Sequence, residues 1–337
     1  MLRTVLGVAW LLLLAAVALP DARAADASGV GFRRLEVVDP VSGRPMDAAL
    51  FYPGTGGDGT TEIGPYDIDG LRGAEIAPGR HPLVLVSHGD LGSLWGHHDL
   101  ASFLARKGFL VVSVLHPGDN YRDPSGLGAV STIYGRPLQI SAALTAALQA
   151  PFLAGRIDSD RIGFAGFSAG GTTGLILAGA QPDLSRLETY CAARPADHAV
   201  CEAGGRIRND RPDLLPTADP RIGAFVLLAP LSVVFPRDGL KRVEAPLRLY
   251  VGDADQQLSP ERNALALARD LPVPPALEVL PGAGHFVFLA PCSARLAASL
   301  PALCRDAPGV DRAALHRQMN AEIARFLDAR SDGAPRR

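Results

Sequence analysis

Six short apolar runs, at residues 83–87, 110–114, 162–165, 224–228, 247–251 and 277–280, recur along the chain with helix-length segments between them. This alternation restricts the architecture more than any other feature of the sequence. A run with no polar residue at every second position has no face to offer solvent, so it must be covered on both sides, as the central strands of a parallel sheet are. The intervening segments at 100–107, 138–150, 169–180 and 261–270 read as helices, and 312–329 places Leu315, Met319, Ile323 and Phe326 at helical spacing. Such a stripe docks on a sheet face. The expected class is therefore α/β, a mostly parallel sheet with helices on both faces. Residues 33–39 and 46–52, joined by Pro40-Val41-Ser42-Gly43, read as an antiparallel hairpin at a sheet edge. The Gly- and Pro-rich stretch 54–80 lacks periodicity and reads as a mobile loop. The polar, Pro-containing stretch at about 181–220 reads as an excursion over the C-terminal edge of the sheet, where insertions shape substrate access.

The first two dozen residues stand apart from this pattern. Arg3, an apolar run at 11–19 and Ala22-Arg23-Ala24 together read as a secretory signal peptide with cleavage after Ala24. Residues 1–24 are thus assigned to a leader, 25–330 to one catalytic domain and 331–337 to a disordered tail. No later run reaches the roughly 20 apolar residues of a membrane-spanning helix, so no stable membrane anchor is expected. An exported chain meets an oxidising compartment, where its four cysteines can pair. Cys191 with Cys201 and Cys292 with Cys304 is the expected pairing, because each pair is close in sequence and brackets a segment in need of a staple. The formal net charge is −2 with both signs scattered, which leaves no basic stripe for nucleic acid.

The chemistry concentrates where strand 162–165 runs into Gly166-Phe167-Ser168-Ala169-Gly170-Gly171 and then into a helix. In a chain with 36 glycines a bare GxSxG pattern carries little weight. Its position at a strand-to-helix junction gives it meaning, because a serine hydroxyl becomes a usable nucleophile only when a sharp turn lifts it clear of the backbone. Gly166 and Gly170 are the elbow positions, where a Cβ would meet the neighbouring strand and helix. Ala169, directly after Ser168, is one expected oxyanion donor through its backbone N–H. The second is sought in Ser87-His88-Gly89-Asp90, after strand 83–87, with the Asp90 N–H favoured and Leu91 as the alternative. His88 is read as a support for that loop.

A general base is expected late in the chain, after the last strand, and His285 in Pro281-Gly282-Ala283-Gly284-His285-Phe286 occupies that place. His316, the only later histidine, falls in the terminal amphipathic helix. The acid lies in Gly252-Asp253-Ala254-Asp255, after strand 247–251. Asp255, further into the loop, is preferred to Asp253, which is close enough to the strand end to shape a turn. His88, Asp90, His97, His98, Asp99, His116 and Asp119 cluster near two strand ends, yet they form no HxH or HExxH pattern. A serine triad needs no metal, and neither metal nor cofactor is expected. Phe167, Trp95, Tyr134, Phe235 and Phe286 are candidates either for an apolar substrate pocket or for the core.

On these residues the chain resembles the predicted dienelactone hydrolase group and its relatives, the platelet-activating-factor acetylhydrolases, over nearly all of the mature length. Matching stretches include Phe51-Tyr52-Pro53, Ser87-His88-Gly89, His116-Pro117-Gly118-Asp119-Asn120 and the three motifs around Ser168, Asp255 and His285. The resemblance implies an eight-stranded α/β-hydrolase fold and hydrolysis of carboxylic esters. Ser168 departs from the cysteine nucleophile of true dienelactone hydrolases. The strand ending Leu228-Ala229-Pro230 carries no carboxylate where the acetylhydrolases have their acid, which moves that role to the following loop and to Asp255. The expected protein is an exported serine esterase acting on a small or medium ester substrate. A silent binding protein of the same fold and a peptidase are the alternatives.

Overall fold

All eight expected strands form. The computed structural model describes residues 29–201 and 207–329, so the leader 1–24 and the tail 331–337 lie outside the described residues. The hairpin is made by β1 (Gly29–Val38) and β2 (Pro45–Gly54), paired antiparallel from Gly29 with Gly54 to Val38 with Pro45. The apolar runs become β6 (His81–Ser87), β7 (Leu110–Val114), β8 (Ile157–Phe167), β9 (Ala224–Leu228), β10 (Leu247–Gly252) and β11 (Ala276–Leu280). The sheet order is β11-β10-β9-β8-β6-β7-β2-β1-β5. Parallel pairing runs from β7 through β11, and β2 joins β7 antiparallel. The order reverses between β6 and β8, so the loops after these two strands meet at one edge, where a crevice opens in such sheets.

The ninth strand corrects the reading of 54–80 as a mobile loop. That stretch holds a small hairpin of β3 (Thr60–Ile63) and β4 (Tyr66–Asp69), then the two-residue β5 (Leu71–Arg72), which extends the main sheet beside β1. Gly64-Pro65 at the hairpin tip is a turn signal. Four-residue strands with only Ile68 fully buried show too little alternation to be read as strands from sequence. Burial on both faces also fails for β11. It is the edge strand, and Leu277 and Val279 are 39% and 41% exposed.

Helices cover the sheet as their apolar stripes dictate. On one face α3 (Gly135–Gln149) buries Ile140, Ala143, Leu144 and Ala147 beside α4 (Ala169–Leu177) and α7 (Ala264–Asp270). On the other, α1 (His98–Arg106) and α10 (Arg312–Ala329) pack Leu100, Leu104, Met319 and Ile323 onto the sheet. Between β7 and α3 lies the one-turn α2 (Val130–Ile133). The excursion at 181–220 carries α5 (Ser185–Ala193) and α6 (His198–Cys201). Beyond β11 come α8 (Ala294–Ser299) and α9 (Pro301–Cys304). Among the described residues no helix is long and apolar enough to cross a membrane.

Both cysteine pairs are bonded, Cys191 to Cys201 across α5 and α6, and Cys292 to Cys304 across α8 and α9. Loops of 10 and 12 residues limit each bridge's effect on the unfolded chain to about 2–3 kcal/mol. The α8–α9 segment has other holds. Ser293 bonds the Pro65 carbonyl, and Arg295 pairs with Glu62 at 2.8 Å and with Asp67, both on the β3–β4 hairpin. Exposed pairs of this kind contribute little singly. Replacing Cys292 and Cys304 together by Ser is therefore expected to lower urea-unfolding stability by about 2–3 kcal/mol. A loss below about 0.5 kcal/mol would mean that the hairpin contacts alone hold the segment.

Candidate active site

β8 ends and α4 begins around one residue, Ser168, with φ 54° and ψ −116°. A left-handed backbone at a residue with a Cβ costs roughly 1–3 kcal/mol and persists only where its surroundings enforce it. The enforcement is visible in the two elbow glycines. A Cβ on Gly166 would lie 2.2 Å from the Gly170 carbonyl oxygen, and one on Gly170 would lie 2.1 Å from the Ser87 carbonyl oxygen. Helix, turn and the end of β6 are thus packed backbone to backbone. The turn is closed by Ser168 N–H donating to Leu228 O at 2.9 Å and Gly171 N–H donating to Ser168 O at 2.8 Å.

The loop after β11 brings His285 to this turn. Its Nε2 lies 3.1 Å from Ser168 Oγ, and its Nδ1 lies 2.7 Å from Asp255 Oδ2. Because a carboxylate only accepts, Nδ1 carries the proton and Nε2 presents its lone pair to the serine hydroxyl. Asp255 is fixed in turn. Its Oδ1 accepts the N–H groups of Gln257 and Leu258, each at 2.8 Å. Asp253 has a different partner, the N–H of Gly282 at 2.6 Å, and so ties the two loops together at the surface. Residues separated by 117 and 30 positions are thereby brought into one hydrogen-bonded line. The geometry suits proton transfer from a hydroxyl to an imidazole whose tautomer is set by a carboxylate.

The loop after β6 lies against the serine, since a Cβ on Gly89 would stand 3.1 Å from Ser168 Cβ. Of its two candidate donors, Leu91 N–H is already taken by Asp119 Oδ1 at 2.9 Å. Asp90 lines the cavity beside Ser168, and its N–H remains the candidate donor of this loop. Ala169 opens α4, where the first N–H groups have no partner within the helix. Backbone N–H groups in this arrangement can receive an oxyanion.

Arg136 and Asp119 hold this loop, and sequence reasoning gave neither a role. Arg136, on the first turn of α3, donates to Asp119 Oδ2 at 2.6 Å, to Ser87 Oγ at 3.3 Å and to the His88 carbonyl. Both charges are almost fully buried, at 3% and 1% side-chain exposure. Burial pushes the Asp119 carboxyl up, but the Arg136 guanidinium and the Leu91 N–H, with smaller contributions from Asp90 and His88, together keep the carboxylate below its usual range. Asp90 stands 3.7 Å from the same guanidinium with its side chain 38% open to the pocket. Partial desolvation at the cavity edge and the neighbouring Asp119 charge both raise its carboxyl, against the Arg136 guanidinium. His88 donates from Nδ1 to Gly89 O at 2.7 Å and accepts the His116 N–H at 3.1 Å. Burial, reinforced by Arg136, lowers its pKa to about 3, so the ring is neutral. His116 completes the support through Ser87 Oγ at 2.8 Å and Gln139 Oε1 at 2.7 Å. Asp119 belongs to a recognisable stretch, His116-Pro117-Gly118-Asp119, whereas nothing around Arg136 marks it. Among the described residues no group of three or more His, Cys, Asp or Glu is placed to hold a metal ion.

A cavity of about 470 Å³ opens over Ser168. Its walls are mainly apolar, and the excursion supplies Leu187, Val200 and Ile207. Of the five aromatic candidates, Phe167 and Phe286 line the cavity. Trp95 packs edge-on against Phe32 and Phe51, Phe235 is buried in the core, and Tyr134 packs against that core from its edge. A polar floor at Asp90, Asp119 and Arg136 faces these apolar walls.

The sheet order, the flanking helices and the strand-end placement of the site define an α/β-hydrolase fold. A solved structure that shares it is a ferulic acid esterase from Streptomyces cinnamoneus, with a TM-score of 0.59 over 91% of this chain and 91% of that one at 18% sequence identity. No protein-family model and no curated protein matches the chain by sequence.

The backbone contact at the elbow has a measurable consequence. Gly170→Ala must move either α4 or the Ser87 carbonyl, and overpacking of this kind costs about 1–3 kcal/mol. Urea unfolding should show that loss, together with slower labelling of Ser168 by a fluorophosphonate probe. Unchanged stability would mean that the turn is looser than its distances imply.

Proposed function

We propose that this protein is an exported serine hydrolase that cleaves carboxylic esters of small or medium size. The observation that carries the reading is the unbroken line Ser168 Oγ, His285 Nε2, His285 Nδ1, Asp255 Oδ2, with contacts of 3.1 and 2.7 Å at one mouth of an apolar cavity. In this reading His285 takes the proton of Ser168 as the hydroxyl attacks the ester carbonyl. The tetrahedral oxyanion is received by the N–H groups of Ala169 and Asp90, donors already fixed by α4 and by the Arg136–Asp119 pair. His285 then returns the proton to the departing alkoxide, leaving an acyl-enzyme. Water, deprotonated by the same imidazole, releases the acid. Asp255 stabilises the imidazolium formed in each half.

The cavity argues for the size of the substrate. About 470 Å³ is within the range of small-molecule sites and far from what a folded protein substrate would need. The predominance of apolar wall favours an ester with a hydrocarbon or aromatic portion. The fold shared with an esterase is compatible with this chemistry. Export is supported by the leader-like residues 1–24 and by two disulfides, which persist in oxidising compartments.

Ser168→Ala is expected to abolish both p-nitrophenyl ester turnover and fluorophosphonate labelling. Wild-type labelling without turnover of any ester in a graded chain-length series would favour a different acyl substrate, and an amide series would expose a peptidase. Asp255→Asn should lower kcat by about 10³ to 10⁴ by removing the partner that sets the imidazole tautomer. Asp253→Asn loses only a loop contact, and a larger effect there than at Asp255 would overturn the assignment of the acid.

A further inference from the structure

His285 lies on a single 3₁₀ turn, His285–Phe288. The turn is held from outside by three hydrogen bonds. His316 Nε2 stands 2.7 Å from the Val287 carbonyl, His97 Nδ1 stands 3.1 Å from the Phe288 carbonyl, and Ala290 N–H donates to Gly96 O at 2.9 Å. His316 comes from α10, whereas Gly96 and His97 immediately precede α1. On its other side His316 Nδ1 stands 2.6 Å from Asp99 Oδ2 of α1, an oxygen that also accepts from Asn320 Nδ2 at 3.0 Å. Both ring nitrogens of His316 therefore face oxygen acceptors, a carboxylate and a carbonyl. Only a doubly protonated ring can donate to both.

We propose that His316, held as a buried imidazolium between Asp99 and the Val287 carbonyl, is a positioning residue that keeps the His285 turn in reach of Ser168. This rests on the reading of His285 as the general base. A neutral ring can keep only one of the two bonds. The charge-assisted bond to Asp99 is the stronger, so the proton stays on Nδ1 and the Nε2 lone pair is turned against the Val287 oxygen. The turn then loses its donor and gains a repulsion two residues from the base. Small displacements of a reacting group are enough to cost one to two orders of magnitude in rate.

The surroundings favour the charged ring. Burial by itself lowers the His316 pKa, but the Asp99 carboxylate and the two hydrogen bonds outweigh it and raise the pKa above the ordinary histidine value, while Arg312 on the same helix opposes this. Arg312 is itself paired with Asp306 at 2.8 Å. From α1 and the residue before it, His98 and His97 also face the cluster. Burial lowers both, His97 to about 4, so neither adds a second positive charge at neutral pH. Burial pushes Asp99 up, yet the His316 charge and hydrogen bond, with His98 and Asn320, together outweigh it and hold the carboxyl well below its usual range, so it stays ionised. The clamp is thus complete below the ordinary histidine value, and it is lost as pH rises through the raised value of the folded state.

The test uses the full enzyme, with active sites counted by fluorophosphonate labelling so that kcat refers to folded, competent protein. Wild type should lose kcat at alkaline pH with KM unchanged. His316→Gln should show kcat reduced about 10- to 100-fold at pH 7, KM within about twofold, and no alkaline limb. Asp99→Asn should move that limb to lower pH. Active wild type whose kcat per labelled site is unchanged by His316→Gln would overturn this proposal alone. Wild type that neither hydrolyses esters nor takes the label would sink the hydrolase reading and this proposal with it. Should His316→Gln fail to fold, histidine ¹⁵N spectra of the wild type decide. A doubly protonated imidazole at pH 7 that titrates together with the alkaline limb supports the clamp, and a neutral one overturns it.

Discussion

One close backbone approach in the site is the contact on which the rest depends. Gly170 sits so near the Ser87 carbonyl that a single added carbon would lie 2.1 Å from it, and this contact locks the start of α4 to the end of β6. The left-handed conformation of Ser168 follows, because the chain must reverse from strand to helix within one residue while remaining in that contact. The strained turn presents Oγ to the cavity and aims the N-terminus of α4 at the same point. The same contact sets the neighbouring loop against the serine. One packing constraint therefore places the proposed nucleophile and one wall of the proposed oxyanion site together.

The other parts of the site are held by buried polar networks. Arg136 and Asp119 form an ion pair inside the protein, where removing one partner is far more damaging than the pair's net contribution would suggest. What the pair provides is position: Asp119 takes the Leu91 N–H, and Arg136 takes the His88 carbonyl. Asp99 and His316 provide the same service for the turn after β11. The loops that carry the proposed site face the cavity on one side and are tied to charged groups of α1, α3 and α10 on the other. This combination allows an open pocket to keep a rigid floor.

Two stapled segments of short helices lie outside the sheet, and one of them walls the cavity. The excursion contributes Leu187, Val200 and Ile207 to the cavity wall, and a disulfide joins its two short helices. The α8–α9 segment is stapled in the same way and leans on the β3–β4 hairpin. Each bridge joins two short helices that pack few buried apolar residues, Leu187 and Val200 in one segment and Leu296 in the other.

Local chemistry was legible where a function requires it within a few consecutive residues. The apolar runs disclosed the central strands because burial on two faces excludes polar residues. The glycines around Ser168 disclosed the elbow, since only a residue without a Cβ fits there. The spacing of Leu315, Met319 and Ile323 disclosed α10. The β3–β4 hairpin escaped because four-residue strands carry too short a pattern, and α3 was expected to begin at 138 because Pro137 conceals a helix that starts at Gly135. Asp253 and Asp255 differ by two positions in one loop, and only coordinates show that one carboxylate meets Gly282 while the other meets His285. Nothing local marked Arg136, and Asp99 and His316 stood out only as a member of a His/Asp cluster and as a histidine on the terminal helix, without the roles they take here. Their roles arise from partners 17 to 217 residues away, and the sequence by itself specifies which groups are available, whereas the distances among them exist only once the sheet has closed.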